Sequence, residues 1–78
     1  MKVYVVIAEY SNYDGYGSYV AGVYDTQEKA KVCIEMEKES LEDNFQNCEY
    51  EVESDNSYFT ISTFDEYYTR RITECEVL

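Results

Sequence analysis

Histidine and tryptophan are absent from the chain. The first absence removes the side chain that most often serves as general base and metal ligand near neutral pH, so an enzyme would have to work without its commonest tools. Basic residues are scarce too: six lysines and arginines stand against seventeen acids, a net charge of -11 with a pI near 4.1. That imbalance disfavours direct contact with nucleic acid or with an anionic membrane surface, both of which would be repelled. No apolar run approaches the roughly 20 residues that span a bilayer, and the first residues lack a secretory signal's basic segment followed by an apolar one. The expectation is a cytoplasmic protein with no membrane contact. Cys33, Cys48 and Cys75 form an odd set without a CxxC pair. Such spacing provides neither a disulfide framework nor a zinc site, so the thiols read as small hydrophobes and no cofactor or metal is expected.

With 78 residues there is room for one core, and residues 1–78 are read as a single domain. Leu, Ile, Val and Phe fill only 17 positions, or 22%, close to the level at which a highly charged chain stays disordered. Ten tyrosines make up the difference, because their rings bury large area while the hydroxyl stays wet. A domain this small still buries only about 60% of its unfolded surface, and self-association is a common remedy, which puts a homodimer among the expected states.

Lys2 to Tyr10 is rich in β-branched and aromatic residues, apolar on both alternating faces, and reads as a central strand. Ser11 to Ser18 collects turn formers and reads as a hairpin loop leading to a second strand, Ser18 to Tyr24, paired antiparallel with the first. Asp25 with Glu28 forms a capping-box signature, Thr26 being an alternative cap, and a helix is expected over residues 26–44. Its stripe of Ala30, Cys33, Ile34, Leu41 and Phe45 is interrupted only by Glu37. Glu49 to Glu53 alternates as a strand with Tyr50 and Val52 inward, Ser54 to Ser57 is a turn, and Tyr58 to Phe64 continues as a strand. Asp65 to Thr69 fits either a loop or a helical turn, and Arg71 to Val77 closes the sheet. The fold class is α+β: an antiparallel sheet of four to five strands with one helix packed on one face, in the order ββαβββ.

The acids are clustered. Residues 35–55 carry nine of them and one lysine. On a strand the outward Glu49, Glu51 and Glu53 would repeat every ~6.7 Å, a regular negative row resembling a nucleic-acid backbone. With Asp55 and the helical Glu35, Glu39 and Glu42, this surface suits the basic groove of a nucleic-acid-binding protein, with Tyr13 and Tyr16 as aromatic anchors. The competing reading is that the charge only maintains solubility. A second possibility places a nucleotide between the Tyr13, Tyr16 and Tyr19 loop and the cations Arg70 and Arg71; structural ion pairing of the two arginines is the plainer account. Asp65-Glu66 shows no catalytic spacing, and nothing assembles a nucleophile, a base and an oxyanion donor, so no enzyme is expected.

The opening KVYVV, the tip YDGYGSYV and the junction GVYDTQEKA resemble a group of short, uncharacterised proteins encoded by bacteriophages and prophages. The resemblance covers residues 2 to about 31; beyond that only the general pattern agrees, with Tyr58 to Phe64 standing as an added strand. It implies a viral accessory protein in a bacterial host cell. By analogy with small acidic anti-CRISPR inhibitors, it implies a partner with a basic groove, a host nuclease or CRISPR effector. A sponge for nucleotide signals and a structural homodimer are the alternative functions.

Overall fold

The computed structural model describes residues 1–46 and 49–77; the third cysteine, Cys48, lies outside them. Five strands and one helix follow one another: β1 (Lys2–Asn12), β2 (Gly15–Tyr24), α1 (Gln27–Asn44), β3 (Glu51–Asp55), β4 (Tyr58–Ser62) and β5 (Tyr67–Glu76). They form one sheet in the order β2-β1-β5-β4-β3, every neighbouring pair antiparallel. The α+β expectation and the ββαβββ order therefore hold.

Several boundaries differ from the sequence reading, each for a local reason. The first hairpin is longer than expected: Ser11 pairs with Tyr16 and Asn12 with Gly15, leaving only Tyr13-Asp14 as the tip. Asn12 Oδ1 accepts from the Asp14 amide at 3.0 Å, and Gly15 completes the turn at φ +132°, a conformation that side-chain-bearing residues rarely adopt. Tyr67 to Thr69, left ambiguous from the sequence, are strand, held on one side by Ser11 to Glu9 and on the other by Ser62 to Thr60. The centre of the sheet is consequently β5, the last strand in the chain, with β1 beside it. The strand expected at Glu49 begins at Glu51 instead, Phe64 lies beyond the end of β4, and β3 is the far edge.

Helix α1 starts at the alternative cap. Thr26 is extended and its hydroxyl accepts from the Lys29 amide at 3.3 Å, while Asp25 pairs with the Lys29 ammonium at 2.9 Å. The lysine beside Asp25 holds that carboxyl below its ordinary range. The helix packs on β1, β2, β4 and β5 and leaves β3 uncovered. Between helix and sheet lie Val6, Ala30, Ile34, Phe45, Phe59 and Ile61, all buried, with Tyr4, Tyr24, Leu41, Tyr68 and Ile72 around them. Tyrosine does not fill the core itself, where phenylalanine and aliphatic side chains are the buried residues; Tyr4, Tyr24, Tyr50 and Tyr68 pack partly buried around it. The ring of Tyr24 lies so close over Gly22 that a Cβ there would meet it at 2.7 Å, which explains a glycine inside an edge strand.

Candidate functional site

Neighbouring residues of a strand point to opposite faces, and this rule separates the two arginines. Arg70 faces the helix and is 6% exposed. Its Nε donates to Glu37 Oε1 at 3.3 Å, Nη2 to the Tyr19 hydroxyl at 3.3 Å and Nη1 to the Thr69 carbonyl at 3.2 Å, and the guanidinium lies 5.7 Å from the centre of the Tyr19 ring. Glu37, the one interruption in the apolar stripe of the helix, is there to meet it. Arg71 faces the other way and pairs with Glu9 across the β1–β5 register. Of the residues suggested for a nucleotide, Tyr19 alone meets Arg70, while Tyr13 and Tyr16 stand at the hairpin tip, 85% and 87% exposed. The structure does not bring the five together, and both cations are already partnered.

Two groups of acids lie at opposite ends of the sheet. At the end of the sheet where β1 starts and β5 finishes, Glu74 pairs with Lys2 at 3.0 Å, Glu76 with the N-terminal ammonium at 3.6 Å, and Asp25 with Lys29 nearby. Glu74 holds the Lys2 ammonium above its ordinary pKa. The opposite end gathers the Tyr13-Asp14 tip, the Thr63 to Glu66 connection, Glu49 to Glu51 and the C-terminus of α1, which Phe45 ties to Tyr50 and Tyr68 through ring contacts. No acid of that end is in an ion pair among the described residues. Glu42 and Asp43 even sit in the last helical turns, where no basic residue offsets the partial negative charge of the helix dipole.

Exposed aromatics cap this acidic end. Phe64 is fully exposed, and it borders an open depression of about 710 Å³ that Glu49, Tyr50, Glu51, Ser62 and Thr63 complete. The carboxylate of Asp65 beside Tyr13 raises the pKa of that phenol above its ordinary value. A negative surface without cationic partners, rimmed by exposed rings, is chemically complementary to a cationic surface. Among the described residues no cluster of three or more metal-ligating side chains forms.

The expected docking residues are spread over three positions. Tyr13, Tyr16, Glu49, Glu51 and Glu42 mark the acidic end. Glu53 and Asp55 continue along β3, and Val52 and Ser54 alternate with them toward the helix side, because Val52 pairs with the buried Ile61 and Ser54 with the buried Phe59. Glu51, Glu53 and Asp55 thus project from the face opposite the helix, and the Tyr58 hydroxyl donates to Glu53 at 3.4 Å. The negative charge of Glu53 keeps the Tyr58 phenol protonated to higher pH than usual. Glu35 and Glu39 lie on α1, on the other side of the sheet from that row. Sequence reasoning missed Phe64, Asp65, Glu66 and Asp43. Asp65 and Glu66 are charged residues beside an aromatic, but only the topology shows that residues 13–14, 49–51 and 63–66 meet.

Residues 1–61 match a family described as a domain of unknown function (DUF7336), and since the match spans more than half of the chain, the chain belongs to that family. No match is found among curated proteins or among solved structures. No helix among the described residues is long and apolar enough to cross a membrane.

Proposed function

We propose that the domain is a protein-binding module whose acidic, aromatic-rimmed end occupies the basic groove of a nucleic-acid-handling protein and so excludes nucleic acid from it. The observation that carries this reading is the asymmetry of pairing. At the Lys2 and Lys29 end Asp25, Glu74 and Glu76 are matched by cations, whereas among the described residues Glu42, Asp43, Glu49, Glu51, Asp65 and Glu66 have no cationic partner and stand near an exposed Phe64. Charge used only for solubility has no need to collect where aromatic side chains are also exposed. Bacterial nucleases and CRISPR effectors are the partner class in view, consistent with the inhibitory role that the phage-protein resemblance implies.

The test is competition. Purified nucleases and CRISPR effectors holding fluorescent duplex DNA are titrated with the protein at 50 and 500 mM NaCl. Displacement at low salt that weakens at high salt is expected, because the contact is between exposed charges. Replacing Glu49, Glu51 and Glu53 by lysine together should abolish displacement, and Phe64→Ser should weaken it about tenfold. The Glu74→Lys, Glu76→Lys pair at the opposite end should leave it intact. Displacement that survives the triple reversal in a folded variant refutes the proposal.

A further inference from the structure

An antiparallel sheet with one wet face normally alternates apolar and polar residues on each strand. Strand β1 does not. Its helix side carries Tyr4, Val6 and Ala8, and its other side carries Val3, Val5 and Ile7. The register places Val23 and Val20 of β2 next to Val5 and Ile7, and Cys75 of β5 next to Val3. Val20 and Val23 are 58% and 57% exposed. Helix α1 lies on the opposite face, and nothing else among the described residues covers this apolar strip.

From this face we infer that the protein self-associates, two copies packing β2-β1-β5 of one against β5-β1-β2 of the other. The charge balance of this face leaves it open to a second copy. On this side of the three strands the only charged side chains are Glu9 and Arg71, and they neutralise each other. The strip itself brings no net charge to the contact, while parallel pairing sets the two acidic ends of a chain carrying -11 side by side, a repulsion that salt screens. A two-fold axis along β1 sets Val3, Val5 and Ile7 against their own equivalents, the self-complementary arrangement of a closed dimer. It also throws the two acidic β3 edges to opposite sides, about 29 Å apart at ~4.8 Å per strand, well beyond the ~10 Å screening length at 0.1 M salt. Three strands about 35 Å long offer ~500 Å² in flat projection, and side-chain relief brings this to about 600 Å² per partner. Interfaces of that size are the small specific ones, so a dimer with a micromolar dissociation constant is expected.

Sedimentation velocity between 10 µM and 1 mM in 0.5 M NaCl tests the inference. The expected result is a monomer–dimer equilibrium that tightens when NaCl rises from 0.05 to 0.5 M. That is the reverse of the salt response of the acidic end, so either reading can fail without the other. Val20→Lys with Val23→Lys, on an exposed edge strand, should weaken dimerisation at least tenfold while the far-UV circular dichroism is unchanged. If that variant does not fold, Thr73→Lys on β5 reads the same face. A monomer at 1 mM overturns the inference, and so does a dimer that a folded variant leaves intact.

Discussion

Replacing Glu37 by alanine strands the Arg70 guanidinium, and the cost can be worked from the site. Breaking a fully buried ion pair by removing one partner costs about 3–5 kcal/mol, because the remaining charge is left uncompensated. The Arg70 side chain is 7% exposed but that of Glu37 is 34% exposed, so water can enter where the carboxylate was. The Tyr19 hydroxyl and the Thr69 carbonyl stay in contact with the guanidinium. These reduce the expected loss to about 2 kcal/mol, near the value of one charge-assisted hydrogen bond. In a domain of this size that lowers Tm by about 8–16 °C. Arg70→Met removes the charge instead of isolating it and leaves a carboxylate that can hydrate, so it should cost about 1 kcal/mol. The double variant Glu37→Ala, Arg70→Met, which leaves no isolated charge, should be more stable than Glu37→Ala alone. Urea unfolding followed by far-UV circular dichroism and tyrosine fluorescence gives all four corners of the cycle. Because the pair is shielded from solvent, 0.5 M NaCl should not erase the coupling. A Glu37→Ala loss below about 0.5 kcal/mol, or additive single variants, would refute the argument that the buried arginine depends on its carboxylate.

Other predictions concern the core, the tyrosines and the turns. Phe59→Ala, which empties a fully buried ring from the centre of the core, should cost about 3–5 kcal/mol and leave the domain largely unfolded at 25 °C, as thermal melts would show. Tyr13, Tyr24 and Tyr58 all have raised phenol pKa values, caused first by Asp65, by a hydrogen bond with Cys33 and by the charge of Glu53 respectively. A raised folded value means stability that is complete below the unfolded tyrosine pKa of about 10 and is lost as pH rises through the folded value. Absorbance at 295 nm between pH 9 and 12 should therefore show late tyrosine ionisation coupled to unfolding. Glu53→Gln should move the Tyr58 step down, and an unmoved profile would count against the contact. Gly22→Ala should cost about 1–3 kcal/mol through collision with the Tyr24 ring, and Gly15→Ala about 1–2 kcal/mol through its positive φ. Chemical denaturation measures both, and equal stability to the parent would contradict the geometry.

Much of the fold was legible because local signals agreed with one another. The β-branched run at Lys2, the turn residues at Ser54 to Ser57 and the cap at Thr26 each specify their element without long-range help. Strand order was not legible. Nothing local in Tyr67 to Glu76 states that it pairs with both β1 and β4, since pairing is a property of two segments and a sheet. The same limit hid the acidic end, whose residues come from three loops far apart in sequence. It also hid the role of Glu37: the interruption in the stripe was visible, but its meaning required Arg70 to arrive from 33 positions away.

The position of β5 has a further consequence for how the protein comes into being. Its central strand leaves the ribosome after the other four strands and the helix. Until residues 67–76 emerge, β1–β2 and β3–β4 are separate two-stranded ribbons, and a lone hairpin is at best marginally stable in water. Helix α1 can cover the β1–β2 ribbon before then, but Phe59 and Ile61 of β4 reach that core only when β5 joins the two ribbons. Folding is completed by one closing event, in which β5 inserts between the two ribbons and makes its contacts with β1 and β4 together.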